Sequence, residues 1–258
     1  MILGIIVMNK GGIPLFRDFW TEQMSPITDS TILVAGFLSA LSNFASKFNW
    51  EAQKILFKPI KETDRENFEV LIIEKEEFDI ILFLDSFHFR NRLKLKIENI
   101  YGEILKKYNP NLLEEIETLS QEDALIIRKS LLNYKEKDII TQNKEKLEEI
   151  GEESILNFDV RSVFIRTEDG DLLWYNSKGL QKNEIEFLLR NIKTQEEEIV
   201  GKEGMRWTMT LDKEGTPTII CEITSIPFLY GFITDVDSAL GPISDELTFQ
   251  LDKLLKRQ

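Results

Sequence analysis

Few residues in this chain are arranged for covalent chemistry. The single histidine, His88, would have to stand beside a nucleophile to build a serine triad, and there is no Gly-x-Ser-x-Gly elbow. The one cysteine, Cys221, lies in an apolar stretch, where a thiol acts as a small buried hydrophobe rather than as a nucleophile. A lone cysteine also excludes an internal disulfide framework and a cysteine-rich zinc site. No Gly-x-x-x-x-Gly-Lys-Ser/Thr loop occurs, so the chain is not itself a P-loop GTPase, and Gly201-Lys202-Glu203-Gly204 reads as a plain turn. Asp235, Asp237 and Asp245 lack calcium-loop spacing and read as a strand-end turn and a helix start. With 45 acidic residues among 258, neighbouring carboxylates say nothing about acid–base catalysis. The expectation is a protein that is not an enzyme, with no cofactor and no metal.

Charge offers a different chemistry. Arg90, Arg92, Lys94 and Lys96 follow His88 at the start of a helix expected over Phe89–Tyr108. Positive charge there opposes the helix dipole by about 0.3 kcal/mol or more per residue. Two readings stand: a solvated face that pairs with scattered acids, and an anion-facing patch for a phospholipid headgroup or an acidic partner. The net charge of −13 argues against global attraction to nucleic acid or anionic lipid. No nucleic-acid partner is expected, and membrane contact would be peripheral and local. No apolar run is long enough to span a bilayer, and the first residues lack the basic start and cleavage site of a signal peptide. The expected location is cytoplasmic, with room for peripheral membrane attachment.

The elements that would position these groups begin with an apolar run, Ile2–Met8, short and β-branched enough to favour a strand. Asn9-Lys10-Gly11-Gly12 supplies a hairpin turn, and Ile13-Pro14-Leu15-Phe16 begins the return strand. Thr28, Asp29 and Ser30 are all competent N-caps for a helix over Ser30–Phe48. Leu33, Phe37, Leu41, Phe44 and Phe48 form one apolar stripe on it. A second face carries Gly36, Ala40 and Asn43, with Ala35, Ser39 and Ser42 beside it. Gly36 costs the helix about 1 kcal/mol relative to alanine, which asks for a packing reason. The small face either sits tightly on the sheet or receives another helix, which makes Gly36, Ser39, Ala40 and Asn43 candidate partner-binding residues. Strands at Glu51–Lys61, Asn67–Lys75 and Phe78–Phe87 follow, with short loops that imply antiparallel neighbours.

Residues 111–157 read as helical and highly charged, with Ser120-Gln121-Glu122-Asp123 resembling a capping box that has aspartate at its last position. The pattern of the start then returns. Val160–Arg166 and Leu172–Tyr175 flank an Asp169-Gly170 turn, a helix is expected over Gln181–Ile199, and strands at Met205–Asp212, Pro217–Ile223 and Phe228–Asp235 precede a helix over Ile243–Leu255. Each half thus reads β-β-α-β-β-β-α with little residue identity between them, as an old duplication would leave it.

Two copies of that order, each with a hairpin before the first helix, resemble the longin and roadblock families. The stretches that carry the likeness are Asn9-Lys10-Gly11-Gly12-Ile13-Pro14-Leu15-Phe16 and Leu33-Val34-Ala35-Gly36-Phe37-Leu38-Ser39-Ala40-Leu41. The resemblance implies an α+β fold with antiparallel sheets and packed helices: a first domain at 1–109, a helical connector at 110–157 and a second domain at 158–258. It further implies a regulatory or scaffold platform that binds a Ras-like small GTPase, serves as exchange factor or scaffold in membrane traffic or signalling, and pairs with itself or a related chain through its longin-like domains. There is no heptad-bearing SNARE segment after the first domain. PAS, GAF and profilin domains share much of the element order, so a small-molecule sensor and a homo-oligomeric adaptor joined through sheet edges stand as alternatives.

Overall fold

The computed structural model describes residues 2–50, 52, 54–57, 67–85, 90–108, 119–196, 204–212 and 214–256. The chain divides into two compact units with the break after Leu132, residues 89–92 being grouped with the second.

In the first unit the apolar opening run forms β1 (Ile2–Asn9), which turns into β2 (Pro14–Phe19). Asn9 closes the turn. Its backbone oxygen accepts from Gly12 N–H at 3.0 Å, and its side-chain Oδ1 accepts from the N–H groups of Gly11 and Ile13 at 3.0 and 2.9 Å. A short helix α1 (Ser25–Asp29) leads into α2 (Thr31–Ser46), followed by β3 (Lys54–Phe57), β4 (Phe68–Glu74), β5 (Phe78–Leu84), α3 (Arg90–Glu103) and α4 (Gln121–Leu131). The sheet order is β2-β1-β5-β4-β3, antiparallel throughout. The described part of the strand expected over Glu51–Lys61 is much shorter, and helix α3 stops at Glu103 before a 3-10 turn at Leu105–Lys107. Ser30 stands at the start of α2, but its side chain makes no capping bond. Instead Thr31 Oγ1 donates back to the carbonyls of Ile27 and Thr28, and Arg17 Nη1 donates to Thr28 O at 2.7 Å.

The sheet is covered on both faces. On one, Ile5, Val7, Leu71, Ile80 and Leu82 meet Leu93, Ile97, Ile100 and Ile104 of α3 and Ile127 and Leu131 of α4. On the other, Leu3, Ile6, Met8, Val70, Ile72, Ile81 and Phe83 meet Ala35 and Leu38 of α2. Helix α4 is fastened at both ends. Ser120 Oγ accepts from Asp123 N–H at 3.1 Å, as a capping box requires, while the Asp123 carboxylate accepts from the Tyr108 hydroxyl. That bond, aided by Ser120 and Lys107, holds the Asp123 carboxyl below its ordinary pKa against the opposing effect of desolvation. Further along, Arg128 donates twice to Asp18 on β2, at 2.7 and 2.6 Å.

The second unit runs α5 (Tyr134–Gln142), α6 (Lys144–Phe158), β6 (Ser162–Thr167), β7 (Leu172–Ser177), α7 (Lys182–Glu196), β8 (Met205–Leu211), β9 (Pro217–Ser225), β10 (Phe228–Asp235) and α8 (Leu240–Leu255). Its sheet order, β7-β6-β10-β9-β8, repeats the topology of the first. Val163, Ile165, Cys221, Tyr230 and Phe232 pack beneath α6 and α8, with Ile140 of α5 in the same cluster. Phe164, Ile220 and Ile233 pack against Ile185, Leu188 and Leu189 of α7 on the other face. Of the stretch 110–157, residues 110–118 lie outside the described residues; α4 shares the core of the first unit, and α5 and α6 share that of the second. The whole is two antiparallel sheets with packed helices in a tandem β-β-α-β-β-β-α, longin/roadblock-like arrangement. The extra helices precede the first strand in the second unit and follow the last in the first.

Candidate docking surface

Helix α2 meets its sheet with the small side chains. Thr31, Ala35, Leu38, Ser39 and Ser42 are buried. The fit is closest at the β1–β2 turn. Gly12 has φ +80°, and a Cβ added there would lie 2.8 Å from Ser39 Cβ. Glycine on one side and serine on the other let the helix settle onto a sheet face already filled by Met8, Ile72, Ile81 and Phe83.

The large residues therefore point away. Leu33 is 76% exposed, Phe37 57%, Phe44 59% and Trp50 70%, with Ile32 and Phe48 also exposed beside them. The stripe read from the sequence exists, but it faces outward. Phe44 meets Phe48 edge-on and Phe48 meets Trp50 at a tilt, with ring centroids 5.1 and 5.7 Å apart. Between Thr31 and Ser46 there is no charged residue, in a chain that is 30% charged. An outward helical face of this composition is an exposed apolar patch of the kind that marks interaction sites.

The four candidate partner-binding residues are divided by this arrangement. Gly36, Ala40 and Asn43 are exposed beside the apolar stripe, whereas Ser39 is buried against the turn. Asn43 Nδ2 donates to Ser39 Oγ at 3.4 Å. A Cβ added at Gly36 would meet nothing within 4 Å, so nothing inside the unit requires a glycine there. In the basic group, the side chains of Arg90 and Arg92 fall outside the described residues, as does His88. Lys94 and Lys96 are half-buried and flank the Leu93–Ile97 stripe on opposite sides, since neighbours two apart on a helix point about 200° apart.

Among the described residues, no three or more His, Cys, Asp and Glu side chains are placed to hold a metal ion. Cys221 is fully buried, and desolvation, reinforced by Glu222, pushes its thiol up to about 12. Two adjoining surface clefts lie in the second unit, of about 360 and 110 Å³, both lined by Arg161, Asp212 and Glu214. The larger is open and lined mainly by polar side chains, and the smaller runs on from Arg161 to Leu180, Phe187 and Leu188 of the same unit. No described helix is long and apolar enough to cross a membrane.

Sequence reasoning missed one ionic group. On the α7 side of the second sheet, the buried Glu222 carboxylate takes Arg166 Nη2 at 2.5 Å and Arg206 Nη2 at 2.5 Å. Burial lowers the pKa of both guanidiniums, and Glu222 opposes the shift. The only signal was a glutamate inside the apolar run of β9. Its partners lie on β6 and β8, and strand pairing alone brings them together.

No family model matches the chain, and no curated protein matches it. Among solved structures, the gliding protein MglB from Thermus thermophilus is similar over 43% of this chain and 88% of that one, at 10% identity and a TM-score of 0.34. A likeness that slight carries no argument, and the fold rests on the chain's own strand order and packing.

Proposed function

We propose that this protein is a non-enzymatic regulatory scaffold whose first unit docks a Ras-like small GTPase on the outer face of α2, in membrane-associated traffic or signalling. The observation that carries the reading is the uncharged, outward apolar face of a helix set on a longin/roadblock-like sheet. Ile32, Leu33, Phe37, Phe44, Phe48 and Trp50 stand exposed on it or just beyond it, and Gly36 and Ala40 leave a notch for close approach. A related longin-like chain would fit the same face. The location consistent with this role is cytoplasmic, with peripheral membrane contact through Arg90, Arg92, Lys94 and Lys96.

The test is a pull-down from source lysate with the purified chain, in EDTA and again with a non-hydrolysable GTP analogue, beside the L33E/F37E/F44E variant. Enrichment of a small GTPase without nucleotide indicates exchange activity. Enrichment only with the analogue indicates an effector or scaffold. Either must be lost in the variant. No GTPase in either condition, or capture unchanged by the variant, overturns the proposal. Reversing the four basic residues to glutamate should abolish binding to anionic liposomes; unchanged binding removes the membrane role.

A further inference from the structure

The second unit carries a separate site at one end of its sheet, where the two adjoining clefts meet. Arg161 lines both, at the point where the chain enters β6. Its guanidinium is held from one side. Nη1 donates to Asp212 Oδ2 at 3.2 Å and to Thr218 Oγ1 at 3.1 Å. Asp212 is itself fixed, because its Oδ1 accepts from the N–H groups of Glu214 and Thr216 at 3.0 and 2.9 Å. The Nε–Nη2 edge of Arg161 has no partner among the described residues. That edge is the fork that takes a carboxylate two-pronged, and here the contacts on Nη1 set it in place in advance.

Charge in the larger cleft is sorted by strand. Lys178 follows β7, and its backbone N–H donates to Arg161 O at 2.9 Å, so the two cations stand on neighbouring segments. Apart from Asp159, just ahead of β6, the acids stand on the other side of that strand. Asp235 ends β10, and Asp212 and Glu214 belong to the β8–β9 turn. Among the described residues, the side chains of Lys178 and Glu214 have no hydrogen-bond or ion-pair partner, and Asp235 reaches only Arg161 Nη1, at 4.0 Å. Lys178 thus pairs with none of the carboxylates that line the same cleft.

A position for an anion and a position for a cation therefore adjoin. Arg161 and Asp235 are close enough for both to be met by charges borne on one carbon atom. The smaller cleft, about 110 Å³, opens from the same guanidinium toward Leu180, Phe187 and Leu188. It adds an apolar branch beside the two charged positions. Glu184 and Glu214 also line that branch, so a carboxylate entering it would be repelled. A few convergent polar groups beside an apolar recess are what orient a small ligand.

We propose that this site binds a free α-amino acid with an aliphatic side chain. The ligand's carboxylate takes the open fork of Arg161, with Lys178 beside it. Its ammonium faces Asp235 and Glu214. Its side chain enters the smaller cleft against Leu180, Phe187 and Leu188. The main cleft is open to solvent, so the affinity is modest, with a Kd of about 0.1–1 mM. The site belongs to the second unit and is independent of the α2 face.

Isothermal titration calorimetry of the full chain with leucine at neutral pH tests it. Leucinamide keeps the ammonium but not the carboxylate, and N-acetylleucine keeps the carboxylate but not the ammonium. Each should bind at least about tenfold more weakly than leucine, and so should glutamate. Asp235→Asn and Lys178→Gln should each weaken leucine by about tenfold. Both residues are exposed, and circular dichroism checks that the variants fold. No saturable heat from leucine up to its solubility limit overturns the proposal. Leucinamide as tight as leucine assigns the site to a peptide N-terminus, and N-acetylleucine as tight assigns it to a peptide C-terminus; either overturns the free amino acid. Leucine binding unchanged in both variants overturns the site. L33E/F37E/F44E should bind leucine as the wild type does, so this proposal and the α2 docking reading fail separately.

Discussion

Replacing Gly36 with alanine should stabilise the first unit even though it touches a candidate docking face. Gly36 is helical, exposed and clear of any atom within 4 Å of an added Cβ. The substitution therefore removes the entropic cost of glycine in a helix interior and adds no clash, a gain of about 1 kcal/mol. For a unit of this size the midpoint of thermal unfolding rises by about 3 °C. Gly12→Ala is the matched control. Gly12 sits at φ +80° with Ser39 Cβ 2.8 Å from an added Cβ. A left-handed alanine costs about 1–2 kcal/mol before the clash is counted. Urea unfolding followed by tryptophan fluorescence measures both. The two substitutions should move the midpoint in opposite directions. A Gly36→Ala variant that loses stability would refute the placement of α2, because it would put Gly36, not Ser39, against the sheet. If the Gly36 notch receives a partner, the same variant should bind it less well while being more stable, a split that a purely structural role cannot produce.

Other consequences follow from single contacts. Native Cys221 should resist a thiol reagent at pH 8 and react fully in denaturant, since its pKa of about 12 keeps it protonated and its burial keeps it covered; fast native labelling would contradict the packing of β9. Glu222→Ala leaves two guanidiniums without their carboxylate and should cost about 3–5 kcal/mol, read from the urea midpoint. Arg128→Ala loses the two-pronged bond to Asp18 but frees a partly exposed side chain, so a loss of only about 0.5–1 kcal/mol is expected. Asp123 has a folded pKa below its unfolded one, so its contribution to stability is present above the unfolded pKa and is lost as pH falls through the folded one. Tyr108→Phe removes the largest cause of that shift, so carbon-detected NMR should find the Asp123 carboxyl titrating at higher pH, and the acid loss of stability should shrink.

Much of the fold was legible because its signals are local. The two β-β-α-β-β-β-α halves followed from apolar runs, turn residues and helical periodicity, each confined to a short window. The Asn9–Gly12 and Asp169-Gly170 turns follow from residues suited to hairpin turns, and Ser120 caps α4 where the capping box placed it. Gly36 already stood out as a glycine that lacked a local excuse.

What the sequence could not decide was which of two coverable surfaces faces inward. Helix α2 has a large apolar stripe and a small polar-to-apolar face, and the sequence left open whether the small one seats on the sheet or receives another helix. The sheet decides, because its own side chains fill the space and take Ala35, Leu38, Ser39 and Ser42 against them. The same logic governs β8, whose alternation reads as an ordinary half-buried strand until its place at the edge leaves the apolar half uncovered. It governs the Arg166–Glu222–Arg206 group too, assembled from three strands far apart in the chain. Composition and periodicity are properties of a segment and so belong to the sequence. Which face is covered depends on the volume and edge that other segments present, and only the tertiary structure holds that information.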